Sequence, residues 1–194
     1  MTNRRILFLT VGVIVLSVTS CGGSLFKVKP VVELPPMTGD VRSASAGGVT
    51  IRAAPLLSDE ETQDLFEANF LIAGVLPVRT ELVFESGVPV EIKRARFRLR
   101  DGEGREWKTL SPKAAASRIM KANGIFLYNP HSRKTFEQEM IAYGLDTKTP
   151  LSDANRRTQG FLFFQTPDKT PVQTSATLLL TVEKLPQTAE IKLN

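Results

Sequence analysis

The sequence predicts a mainly β fold, an antiparallel β-sandwich of about seven strands with a helical insertion between strands four and five. Three observations predict it. Short runs with period-two alternation, bounded by Gly, Pro and Asp turn signals, recur from Val49 to Leu193. They follow one another without the strand–helix–strand alternation of a parallel sheet. One stretch, 111–157, reads instead as helix formers at helical spacing. At 42% hydrophobic and 23% charged, the 194-residue chain has enough apolar material for one packed domain plus a leader and a tether.

The chain opens on Asn3-Arg4-Arg5, a short positive region, followed by an apolar run from Ile6 to Leu16 and then Ser17-Val18-Thr19-Ser20-Cys21. A positive start, an apolar middle and small residues at the end are the layout of a secretory signal. The apolar run is short for a spanning helix, which needs about 20 residues. Val18-Thr19-Ser20-Cys21 resembles the lipobox of bacterial lipoproteins, with Val where Leu is commoner. The resemblance implies a signal peptide over 1–20, cleavage before Cys21, a diacylglyceryl thioether on its sulfur and an acyl chain, such as palmitate, on its new amine. Two or more chains make a stable anchor, at roughly 0.8 kcal/mol per buried methylene. Gly22 follows in place of Asp. By resemblance to the sorting pattern of enteric bacteria, this implies the outer membrane, with the domain facing the periplasm.

Residues 21–47 are then the lipidated Cys and a flexible tether. Gly22-Gly23-Ser24, Pro30, Pro35-Pro36 and Ser43-Ala44-Ser45-Ala46-Gly47 have linker composition, with Val31-Val32 open as an edge strand. The domain is expected over 48–194. Val49 to Ile51 reads as its first strand. Ser58 and Glu61 have capping-box spacing for a short helix through Phe66. Val75 to Phe84 reads as a strand, with Pro77 near its start. Val88 to Arg100 reads as another. Val88, Val90 and Ile92 alternate in one phase and Ala95, Phe97 and Leu99 in the other, which predicts a β-bulge or sharp bend near Lys93-Arg94.

A three-residue hairpin loop, Gly102 to Gly104, comes next, with Gly104 left-handed. It sets Asp101 opposite Arg105, Arg100 opposite Glu106 and Leu99 opposite Trp107. A four-residue loop would oppose Arg100 with Arg105, which repel. Ser111-Pro112 reads as a helix cap followed by a first-turn proline. Ser132 opens a second helical stretch with Phe136, Met140 and Tyr143 on one face and Gly144 as its stop. Leu151 to Arg157 is open as a third short turn. Strands resume at Gly160–Gln165, Ala176–Lys184 and Ala189–Leu193.

About 100 residues of sandwich plus a crossover of some 45 fit 48–194 as an immunoglobulin-like architecture. Leu76-Pro77-Val78, Asp101-Gly102 and Gly160-Phe161 resemble, in short motifs only, the immunoglobulin-like modules of other bacterial envelope lipoproteins.

Charge and titratable content narrow the function. Setting aside Arg4 and Arg5 leaves 23 basic against 20 acidic residues, near +3, too mild to indicate nucleic acid. One Cys and one His give no internal disulfide and no common zinc site. His131 next to Ser132 lacks the geometry of a hydrolytic triad, and no Gly-x-Ser-x-Gly elbow is present. Asp101 and Glu103 supply fewer oxygens than a calcium loop needs. Trp107 and Phe161 to Phe164 read as core. The strongest binding feature is Arg94, Arg96, Arg98 and Arg100, alternating along one strand, with Lys93 and Arg105 near. Arginine forks suit carboxylates and phosphates, and the same pattern also serves as a solvated strand face.

The expectation is therefore a non-catalytic, membrane-anchored envelope lipoprotein without cofactor or metal. It would bind another envelope protein or an anionic envelope component. The alternative is an accessory subunit of an envelope secretion or transport assembly. Oligomeric state stays open.

Overall fold

The computed structural model describes residues 34, 36–37, 41–124, 130–173 and 176–194, with backbone alone at 130. Cys21 and its leader lie outside the described residues, as do Val31-Val32 and Tyr128-Asn129.

The fold is mainly β and antiparallel, but it is one eight-stranded sheet rather than seven strands in two facing sheets. Its strands are β1 (Arg42–Ser45), β2 (Val49–Pro55), β3 (Val75–Phe84), β4 (Arg96–Asp101), β5 (Glu106–Leu110), β6 (Arg157–Gln165), β7 (Leu178–Glu183) and β8 (Ala189–Lys192). They are ordered β1-β2-β3-β6-β5-β4-β7-β8, every neighbouring pair antiparallel. The two ends, β1 and β8, lie against each other, so the sheet curls nearly into a barrel. Eight strands enclose a space that side chains just fill. Ile51, Leu76, Leu82, Phe84, Leu99 and Phe164 occupy it, each 1% exposed or less.

β1 falls in the stretch whose composition reads as tether. It is a mostly exposed strand on the sheet's edge, paired with β2 from Arg42↔Ala53 to Ser45↔Thr50. The sheet therefore begins before residue 48. Val88 to Arg100 is not one strand. Val90 makes an isolated bridge to Leu151, Ile92–Arg94 forms a 3-10 turn, and β4 starts at Arg96. The phase shift is real and the turn absorbs it, burying both Ile92 and Phe97. Leu151 to Arg157 forms that bridge and bends rather than a helical turn.

Three helices cover one wall. They are α1 (Asp59–Phe66), α2 (Pro112–Ala122) and α3 (Pro130–Tyr143), the last two between β5 and β6. Ser58 caps α1 with the expected reciprocal box, accepting from Glu61 N while the Glu61 carboxylate accepts from Ser58 N. Ser111 caps α2 ahead of Pro112. The helices pack on the outer face of β3 and β6, where Phe66, Tyr143, Phe161 and Phe163 form a second core. The Phe66 ring lies 5.3 Å from Phe161 and 5.2 Å from Tyr143, centroid to centroid. β3 and β6 are thus buried on both faces, which is why their sequences run apolar without clean alternation. In the 111–157 segment, α2 and α3 cover a core. Ile119, Met120, Phe136 and Met140 contribute roughly 1.5–3 kcal/mol each when buried, so lifting α2 and α3 as a lid costs on the order of 10 kcal/mol.

Gly160 lets the chain leaving α3 return beside β6. A Cβ there would stand 2.6 Å from both Leu145 Cα and Leu145 N, while Leu145 N donates to Phe161 O at 3.2 Å. Gly160→Ala is expected to cost about 1–3 kcal/mol, because backbone rather than a movable side chain blocks the methyl. A urea midpoint is the measurement. An unchanged midpoint would mean the return can shift freely.

Candidate functional site

The wall opposite the helices carries the arginines. Side chains of a strand alternate, so Phe97 and Leu99 point into the barrel while Arg96, Arg98 and Arg100 point out. Arg94 is exposed but belongs to the 3-10 turn, so three arginines share the strand, not four. The hairpin has the expected register, Leu99↔Trp107 and Arg100↔Glu106, with Asp101 N donating to Arg105 O at 3.1 Å. Gly104 sits at φ +79°, where only glycine is unstrained.

That register and the strand order bring carboxylates to the arginines. Arg98 Nε lies 3.8 Å from Glu106 and 3.6 Å from Glu183, and Arg100 lies 4.0 Å from Glu106. On the outer faces of β5, β4, β7 and β8, five cations (Arg96, Arg98, Arg100, Lys108, Lys192) stand against three carboxylates (Glu106, Glu183, Glu190). These pairs are long and solvated, worth about 0–1 kcal/mol each. They leave the wall mildly positive without locking its guanidinium groups. Arg96 and Arg100 remain exposed.

Asp101 organises the hairpin. Only 7% exposed, it accepts from Glu103 N at 3.1 Å, Arg105 N at 2.9 Å, Arg105 Nε at 2.9 Å and Trp107 Nε1 at 3.3 Å. Burial works to raise its pKa. The hydrogen bonds from the Arg105 backbone, Trp107 and the Arg105 side chain, with the Arg105 charge, outweigh it and hold the carboxyl below its ordinary value. Arg105 rests on both Asp101 and Glu103, at 2.9 and 3.2 Å. Among the described residues no three His, Cys, Asp or Glu side chains gather as a metal-holding group. His131 and Ser132 follow one another in the first turn of α3, where successive side chains diverge. Trp107, at 4% exposure, fills the barrel, while Phe161 and Phe163 lie under the helices and Phe164 inside the barrel.

Sequence reasoning missed a buried charge cluster on the helix-covered wall. Glu81 of β3 is 1% exposed, accepts from Arg52 at 2.7 Å and pairs with Arg157. Arg79, two residues before it, is 7% exposed, and its buried Nε has no hydrogen-bond partner among the described residues. Burial pulls its pKa down, Glu81 offsets this and the Arg157 charge adds to it. Period two on β3 puts Arg79 and Glu81 on one face, a readable signal. That this face is covered depends on where α3 lands.

In the 111–157 segment the exposed large apolar side chain among the described residues is Ile141, one residue rather than a docking patch. Comparison with known protein families, curated proteins and solved structures returns no match for this chain.

Proposed function

We propose that this chain is a non-catalytic envelope lipoprotein, held to the outer membrane through Cys21. Its β4 wall would meet an anionic envelope component or an acidic partner protein in the periplasm. One observation supports the binding reading above all. The wall without helical cover carries exposed Arg96 and Arg100, with Arg98 held only by long, solvated ion pairs. Exposed arginine forks that are not committed to internal partners are suited to carboxylates and phosphates. The anchor reading is supported by the position of the chain's one Cys, at the end of a lipobox-like run.

The test is a crosslinking pull-down from native membranes with three proteins: wild type, Cys21→Ser, and a variant with Arg94, Arg96, Arg98 and Arg100 changed to Gln. Cys21→Ser is expected to leave the membrane fraction and to lose fatty-acid labelling. The four-arginine variant should stay on the membrane and lose its crosslinked partner. Retention of Cys21→Ser in the membrane would sink the anchor. A partner retained by the arginine variant would take function off this wall.

A further inference from the structure

We propose that the cleft between α2 and the β5–β6 ladder binds a phosphate group. This deepens the reading above by giving the anion a class and a place. On α2, Ala114, Ser117, Arg118 and Lys121 recur at i, i+3, i+4 and i+7 and so share one face. Beneath that face, Lys108 of β5 pairs in the ladder with Gln165 of β6. Lys169 stands in the turn that follows β6. Together they line an open cleft of about 330 Å³ holding four cations and no carboxylate.

The floor of this cleft is polar. Gln165 lines it with little of the residue exposed (7%), and its carboxamide atoms are not among the buried unpaired atoms of the described residues, so they face the open cleft. Its amide therefore opens on the cleft, free to donate to and accept from whatever enters it. The rim is uncommitted as well. Lys108, Lys121 and Lys169 make no ion pair among the described residues, and the neighbouring Asp168 turns to Arg105 at 3.5 Å. Arg118 braces the site. Its Nε donates to Ala73 O at 3.0 Å and its Nη2 to Lys169 O at 2.8 Å, which fixes the Lys169 turn against α2.

The donor set favours phosphate. Three lysines act as point charges, Arg118 keeps unused donors, and Gln165 and Ser117 add an amide and a hydroxyl. These surround a tetrahedral oxyanion better than a flat carboxylate with two oxygens. A glycerophospholipid headgroup and free phosphate share this chemistry. Lys108 lies on the strand next to Arg98, so the cleft continues the positive wall.

The test uses the purified mature chain, followed by the side-chain amide resonances of Gln165. Inorganic phosphate and vesicles of phosphatidylglycerol in phosphatidylcholine are the probes, with pure phosphatidylcholine as control. The Gln165 amide should shift with at least one probe. Lys121→Gln with Lys169→Gln, both exposed, should weaken that binding about tenfold or more, and Gln165→Leu several-fold. Binding to both probes assigns free phosphate, and binding to anionic vesicles alone assigns the lipid headgroup. No shift with either probe, or binding unchanged in the lysine variant, overturns the cleft. The variant at Arg94, Arg96, Arg98 and Arg100 separates the two proposals. If it binds phosphate normally yet keeps its crosslinked partner, the wall reading fails and the cleft stands.

Discussion

Changing Glu81 to Gln is expected to cost about 3 kcal/mol, among the larger single-residue losses in this protein. Glu81 is the counter-charge for three arginines on the helix-covered wall, pairing with Arg52 and Arg157 and lying beside Arg79. Breaking a buried ion pair by removing one partner costs about 3–5 kcal/mol, because the other charge stays buried alone. The lower end applies here. Arg52 and Arg157 are 40% and 56% exposed at the side chain and can turn to water. Arg79 is more enclosed, 7% exposed, with its Nε buried and unpaired among the described residues. Arg79→Met should therefore recover much of the loss when combined with Glu81→Gln, since apolar replacement of a buried charge is often neutral or better. The four proteins form a double-mutant cycle read by urea unfolding. A Glu81→Gln variant within about 0.5 kcal/mol of wild type would show that water already reaches Arg79.

What the sequence tells and what it withholds divide by range of interaction. The α1 cap is legible because Ser58 and Glu61 satisfy each other within one turn. The β4–β5 register is legible because a hairpin loop and like-charge avoidance fix it locally. β1 is not legible, since Arg42 to Ser45 buries little and is held by its backbone ladder to β2. Closure into a near-barrel is also hidden. Alternation tells which side of a strand faces a core, but not whether the far edges of the sheet meet. The apolar runs of Val75–Phe84 and Phe161–Phe164 do carry one unused signal, burial on both faces, which requires a helical layer over them. The candidate sites follow the same rule. Arginine periodicity on β4 is visible in one dimension. Glu183 reaches Arg98 only through the β4–β7 neighbourhood, and Gln165 reaches α2 only through the way that helix folds back over the β5–β6 ladder.

Removing the Asp101 carboxylate should loosen the hairpin that carries the arginine wall. Asp101 accepts four donors, two of them from Arg105 and one from the buried indole of Trp107. Water reaches Arg105, 49% exposed at its side chain, so the ion pair itself adds little. The loss comes from orphaned donors at a buried position, and Asp101→Ala is expected to cost about 2–3 kcal/mol. Asp101→Asn keeps one acceptor oxygen but turns an amide toward N–H groups, so it should fall between. The pH dependence has a definite sign. The folded state holds the Asp101 proton more weakly than the unfolded chain does, so the unfolded state binds more protons in the acid window between the two values. Stability from this group is complete above the ordinary carboxylate pKa and is lost as pH falls through the lowered folded value. The gap between wild type and Asp101→Asn in urea midpoint should therefore be widest near neutrality and close as pH falls below the usual carboxylate range. A gap that stays constant into acid would mean the donors hold the shape of the side chain rather than its charge.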